Sequence, residues 1–304
     1  LSSGIAAVGM NAWWTAEEMA YALADAAPKL LFCDAERWAR VVEKPVMVEG
    51  IGVIGVRFDP PAASAGLPAV TPWSSVAAFA GRIPDVAVDP DADACIFYTS
   101  GTTGHPKGAQ LTHRGCISNL FNLMYAGASS ARAMELATGE APPETPPAPV
   151  TLITTPLFHV TANNCGAYAT TAAGGKLVLM HRWDAAEALR LIAAEKVSSM
   201  SGVPVMAREL ITHPDFATSD TSSLAALSGG GAQVPPDLVL KIEAKVATAR
   251  PSTGYGMTET CGIITSIAGD FFVDKPDSAG PAMPNFEAKC VDDAGQTLAQ
   301  GEVG

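Results

Sequence analysis

Long apolar runs free of polar residues are missing from this chain of 304 residues. The charge-free stretch Val160 to Gly175 is broken by Asn163, Asn164 and several threonines, so no membrane-spanning helix fits it. No secretory signal is legible at the start. Basic residues are scarce as well: 19 Lys and Arg stand against 31 Asp and Glu, a formal net charge of −12. A nucleic-acid or anionic-membrane surface needs a basic stripe to replace released counterions, and this balance argues against one. Closely spaced cysteines are absent too. Cys33, Cys95, Cys116, Cys165, Cys261 and Cys290 are far apart and form no C-x-x-C pair, which argues against zinc and disulfides and for buried thiols in a reducing cytoplasm.

What the chain does have is core material: 48% of its residues are hydrophobic, enough for one large α/β unit or two ordinary domains. Thr15 to Ala26 reads as an amphipathic helix opened by a capping box of Thr15 and Glu18, with a short strand at Lys29 to Cys33. Asp184 to Lys196 repeats the device before a strand at Val197 to Met200, and the alternation recurs after Pro204 and Pro235. The fold class expected is α/β, with two adjacent subdomains built on largely parallel sheets. The first covers residues 1–137. A proline-rich connection at 138–150 leads to the second at 151–268. The start of a β-rich, barrel-like subdomain follows at 269–304, where Glu287 to Val291 reads as a strand ending in a tight turn at Asp293 to Gly295.

The strongest chemical signal is Tyr98-Thr-Ser-Gly-Thr-Thr-Gly-His-Pro-Lys-Gly108. Gly101 and Gly104 let the backbone turn its N–H groups inward. Thr99, Ser100, Thr102 and Thr103 add hydroxyls, and Lys107 adds one mobile positive charge. Such a run makes an anion nest for a polyphosphate. It follows a strand expected at Asp93 to Tyr98 and precedes a helix expected near Thr112, so a strand-to-helix junction is the expected setting. The common P-loop is excluded by Pro106 and Gly108 on either side of the lysine, and with it a P-loop ATPase or kinase.

Three further segments carry chemistry. Thr151 to Val160 reads as a buried strand presenting Phe158 and His159 at its carboxyl end, where open α/β sheets hold ligands. Leu227 to Pro235 is a strand running into a triple-glycine turn before a helix near Pro236, which lets a planar ring or carboxylate approach the backbone. Thr253 to Thr260 supplies an aromatic face in Tyr255, a hydroxyl in Thr258 and a carboxylate in Glu259, suited to adenine, phosphate and Mg²⁺ in turn.

These motifs, in this order, resemble those of the AMP-forming acyl-CoA synthetases, luciferases and peptide-synthetase adenylation domains. The resemblance runs from the Asn11 to Glu18 segment to Gly304. It implies that Thr99, Ser100, Gly101, Thr102, Thr103, Gly104 and Lys107 hold the phosphates of ATP. Gly230, Gly231, Ala232, Gln233, Tyr255, Gly256 and Thr258 would hold the rest of the nucleotide, with Tyr255 stacked on adenine and Thr258 on the α-phosphate. Phe158, His159, Cys165, Gly229, Gly256 and Met257 would line the acyl pocket, and Glu259 would bind Mg²⁺. Lys107, His159, Thr258 and Glu259 are the expected catalytic residues. ATP, Mg²⁺ and CoA are the expected cofactor and co-substrates, and the resemblance implies release of AMP.

Amino-acid activators place an aspartate just after the phenylalanine, where this chain has His159. With Val160, Thr161 and Ala162 following, nothing in the segment neutralises an ammonium, so a fatty or otherwise hydrophobic acid is the expected substrate. Aryl-CoA ligase and luciferase-like chemistry stay open, as does a non-catalytic nucleotide-binding fragment. The family continues into a ribose-binding aspartate, a hinge and a small domain carrying a catalytic lysine, none of which is recognisable here. Both ends are therefore expected to be cut from a longer protein, and the chain alone is expected to be inactive.

Overall fold

The structure, a computed structural model, describes residues 3–59, 66–100, 104–139, 141, 143–246 and 248–304. They form two compact units, Leu1–His113 and Arg114–Gly304. Among the described residues no helix is long and apolar enough to cross a membrane.

The first unit holds two three-stranded sheets. One joins β1 (Ala7–Gly9) in parallel to β5 (Asp93–Thr99), which pairs antiparallel with β6 (Lys107–Thr112). The other is wholly parallel, in the order β2 (Leu30–Cys33), β3 (Gly52–Gly55), β4 (Val70–Pro72). Helix α1 (Ala16–Ala26) starts where its sequence says it should. The Thr15 hydroxyl accepts from the Glu18 N–H, and the Glu18 carboxylate accepts from the Thr15 N–H, satisfying two of the helix's unpaired donors. Helix α2 (Ala35–Glu43) is capped by Asp34 in the same way, and α3 (Trp73–Ala77) is a short turn after β4. Trp14, Met19, Leu23, Trp38, Val41 and Val53 make up much of this unit's core.

The second unit opens with all but the first residue of α4 (His113–Thr138) and, after the proline-rich stretch, is built on a six-stranded sheet. Its strands are β7 (Val150–Ile153), β8 (Lys176–Leu179), β9 (Ser199–Gly202), β10 (Ala226–Gly229) and β11 (Arg250–Thr253), all parallel. A hairpin of β12 (Gly256–Met257) and β13 (Gly262–Ile263) follows, and β14 (Ile267–Ala268) closes one edge of the sheet antiparallel to β11. The order is β14-β11-β10-β9-β7-β8. The chain moves from β7 to β8 in one direction and then crosses back to β9, so β7 and β9 flank the topological switch point where α/β sheets open a crevice.

Helices α5 (Tyr168–Ala172), α6 (Ala185–Glu195), α7 (Pro204–Thr212), α8 (Pro236–Lys245) and α9 (Asp270–Asp274) connect or flank these strands. Asp184 caps α6, and prolines in the first turn start α7 and α8, where a missing N–H costs nothing. Leu152, Met200 and Leu227 stand side by side across β7, β9 and β10 and face a core completed by Leu189, Ile192 and Leu238. Period-two alternation turns the flanking residues, Thr151, Ser199, Ser201 and Ser228, to the sheet's other face.

Three local expectations change. The phosphate segment is not at a strand-to-helix junction: β6 intervenes, and the segment spans an antiparallel hairpin. The run Lys107 to Thr112 pairs along its whole length with β5, so it forms a strand before α4 begins. The strand expected to run into Pro156 ends three residues earlier, at Ile153, and a π-helical turn follows at Thr161–Ala167. Residues 287–290 form no strand. Among the described residues after 274, pairing is confined to isolated bridges, Thr265 with Ala282 and Val291 with Thr297, and the turn is closed by Asp292 and Gly295. No closed barrel is formed by the described residues.

Candidate active site

In the first unit, both flanks of the phosphate segment rest on α1. The Tyr98 hydroxyl donates to the Asp25 carboxylate at 2.7 Å, and its ring meets Trp14 edge-on at 5.4 Å. Burial, and then the adjacent carboxylate, push the Tyr98 pKa well above the ordinary phenol range, so it stays a hydrogen-bond donor. On the other flank the His105 ring stacks on Tyr21 with centroids 4.8 Å apart. Thr99 pairs with Lys107 across the hairpin, and its hydroxyl donates to the Lys107 carbonyl at 3.4 Å. Gly104 has a φ of 102°, a conformation open to glycine and strained for other residues. Gly101, Thr102 and Thr103 lie outside the described residues. The Lys107 side chain is exposed, and among the described residues no carboxylate is paired with it.

In the second unit, a cavity of about 560 Å³ lies over the polar face of the sheet. Its wall includes His159, Cys165, Gly229, Gly256, Met257 and Thr258, drawn from segments 99 residues apart at their extremes (159 to 258). Among its lining residues there is no Asp, Glu, Lys or Arg. His159 is exposed overall, yet partial desolvation lowers its pKa, and its Nδ1 accepts from the Thr161 N–H at 3.2 Å, so the neutral ring carries its proton on Nε2. Burial also pushes the Cys165 thiol up to about 11, so it is a packing group there. Phe158, half-buried in the turn before the π-helix, is not among the lining residues.

A second cavity of about 470 Å³ is lined by Ala232, Gln233, Tyr255 and Asp277, and it shares Gly231, Thr253, Gly254 and Gly256 with the first. Two glycines are required here. Gly231 turns with φ 74°, and a Cβ on Gly256 would lie 2.0 Å from the Gly262 carbonyl oxygen of the facing strand. Tyr255 stays half exposed, offering its ring to a flat ligand. Thr258 is buried at the start of a single 3₁₀ turn, and Glu259 beside it is exposed and lines neither cavity. Among the described residues no three His, Cys, Asp or Glu side chains gather as a metal cage. One exposed carboxylate suits Mg²⁺, which takes one or two carboxylates and its remaining ligands from phosphates and water.

Two features were missed in the sequence. Asn119 and Asn164, both buried, tie α4 and the π-helix to the β12–β13 hairpin. The Ile263 N–H donates to Asn119 Oδ1 at 3.0 Å, Asn119 Nδ2 to the Asn164 carbonyl at 3.3 Å, and Asn164 Nδ2 to the Cys261 carbonyl at 3.0 Å. Their amides fix the cavity wall, and a partner left unpaired there would cost about 1–3 kcal/mol. The other is the hydroxyl lining of the sheet face, legible only as serines at alternate positions in Ser199-Met-Ser201.

Over residues 1–304 the chain matches the family described as AMP-binding enzyme. It belongs to that family. A feruloyl-CoA synthase from Amycolatopsis sp is 32% identical over 224 residues, 73% of this chain and 41% of that protein. The 4-coumarate–CoA ligase-like 9 protein of Oryza sativa subsp. japonica is 31% identical over 309 residues, 98% of this chain and 51% of that protein. The chain thus spans about two fifths to one half of these relatives. Among solved structures, the inhibitor-bound N-terminal domain of FACL13 from Mycobacterium tuberculosis superposes with a TM-score of 0.74 at 26% identity, covering 96% of this chain and 67% of that one. AMP-binding enzymes share the α/β architecture described above, and the phosphate segment of this one lies in the β5–β6 hairpin.

Proposed function

We propose that the protein carrying this chain joins a carboxylic acid with an uncharged tail to CoA through an acyl-adenylate. The acid's carboxylate attacks the α-phosphorus of ATP and pyrophosphate leaves. The CoA thiol then attacks the acyl carbonyl, AMP leaves, and the thiol proton passes to solvent. The observation that carries this reading is the pair of cavities in the second unit, one free of charged side chains and one walled by Tyr255, which meet at Gly231 and Gly256.

Each residue has a task in this scheme. The acid's tail occupies the larger cavity, its carboxylate lying near Gly229 and His159. Adenine stacks on Tyr255 beside Ala232 and Gln233. The Thr258 hydroxyl donates to the α-phosphate, where negative charge grows as the new P–O bond forms. Thr99, Ser100, Gly104 and Lys107, with Gly101, Thr102 and Thr103, hold the β- and γ-phosphates. Glu259 would hold Mg²⁺, which would supply charge neutralisation for the reacting phosphates. None of the six cysteines is joined in a disulfide, which supports a reducing compartment, and we assign the reaction to the cytoplasm.

The product set tests the scheme. With ATP, CoA and an accepted acid, the protein should form AMP, pyrophosphate and acyl-CoA in equal amounts by liquid chromatography and mass spectrometry. Formation of ADP and phosphate in their place would overturn it.

A further inference from the structure

We propose that the hydroxyls on the cavity floor select an acid whose tail ends in an oxygen that accepts hydrogen bonds. The inference rests on the acid–CoA ligase reading and deepens it. The floor is the sheet face opposite the core. Thr151 of β7 sits beside Ser199 of β9, and two residues further along the strands Ser201, Ser228 and Ser252 stand in a row across β9, β10 and β11. All five line the cavity.

Counting protons shows what this floor needs. The Thr170 hydroxyl donates to Thr151 Oγ1 at 2.7 Å, and Thr151 and Ser199 share one further bond at 3.0 Å. Three hydroxyls therefore carry three hydrogens and make two bonds, so one O–H is left over. Ser228 and Ser252 share a single bond at 2.6 Å, which leaves a second O–H over. Both surplus groups are donors, and no carboxylate lines the cavity to receive them. An alkyl tail laid on this floor would strip water from the donors and return nothing, leaving each of them unpaired. A phenol, aryl ether or carbonyl oxygen would accept from them.

The distance fits. Gly229, at the carboxyl end of β10, marks the cavity's upper level, and Ser199, level with Ala226 on the neighbouring strand, lies three residues below. At roughly 3.3 Å per residue the floor is about 10 Å deep, room for a ring on a short linker whose far substituent reaches Ser199 and Thr151. With no charged group in the lining, the oxygen selected is a neutral one.

The test compares a phenylalkanoic acid bearing a para-hydroxyl with the para-methyl analogue of nearly equal size, in acid-dependent ATP–pyrophosphate exchange. We expect kcat/KM to favour the para-hydroxy acid by at least about tenfold, the worth of one such hydrogen bond. The para-methoxy acid, an acceptor without a donor, should share the preference. The ratio should fall toward one in the Ser199→Ala, Thr151→Val double variant and be kept in Ser199→Thr, which retains the hydroxyl and reports independently if the double variant fails to fold. A wild-type ratio near one or below, or a preference that survives loss of both hydroxyls, would overturn the proposal. Exchange with none of these acids, nor with any other acid, would count against the ligase reading itself, so the two failures are distinct.

Discussion

Replacing Lys107 with alanine is expected to lower kcat by about 10²-fold or more while weakening ATP binding by less than about tenfold. The phosphate segment offers many donors from backbone and hydroxyls, and the lysine adds one flexible ammonium to them. In the ground state that ammonium is one contact among several. As pyrophosphate departs, negative charge builds on the leaving oxygens, and a mobile cation counts most where charge grows. Lys107 is exposed at the start of β6, with no carboxylate among the described residues to hold it elsewhere. Calorimetric titration of ATP and single-turnover formation of acyl-adenylate separate the two effects. A loss confined to ATP affinity would show that Lys107 binds substrate and does no more.

The second large effect concerns the acid. An α-amino acid brings an ammonium into a cavity whose lining has no carboxylate and whose one imidazole has its pKa lowered by partial desolvation. An unpaired charge there costs several kcal/mol, so acids with uncharged tails should exceed their α-amino counterparts in kcat/KM by about 10³-fold. The sign follows directly from His159. Acid pH that charges the imidazole makes the cavity more hostile to an ammonium, and alkaline pH leaves it neutral, so no pH in the working range rescues amino acids through this residue. The measurement is kcat/KM for matched pairs, such as phenylpropanoic acid against phenylalanine. Equal values would remove the uncharged cavity as the basis of selection.

Much of the architecture was legible because local rules and tertiary packing agree. Thr15 with Glu18 and Asp184 with Glu187 mark helix starts by side-chain-to-backbone bonds that need no distant partner. The parallel strands of the second unit follow from apolar residues alternating with small ones between capped helices. The β5–β6 pairing was not legible, because the hairpin loop of residues 100–106 is longer than the tight turns that announce themselves in sequence. The antiparallel register is set by pairing along the whole strand.

The site divides in the same way. Tyr255, Thr258 and the glycine turn could be read because each sits in a contiguous motif. Asn119 and Asn164 could not, since their partners lie 45 to 144 residues away and a lone asparagine carries no signal of burial. The π-helical turn that carries Cys165 was missed because its sequence, Thr161 to Ala167, is mostly weak helix formers, Thr161, Asn163, Asn164 and Gly166 among them, and the wider turn shows in backbone geometry alone. The hydroxyl floor escaped notice because small serines in strands look like spacers until the strands are placed side by side.

The proposed reaction is formation of an acyl-adenylate from an acid with an uncharged tail. ATP–pyrophosphate exchange by the protein carrying this chain, run with and without such an acid in the presence of Mg²⁺, tests it most directly. The account predicts label appearing in ATP when the acid is present and background without it. Exchange that ignores the acid, or no exchange across a panel of such acids while ATP still binds, would contradict it.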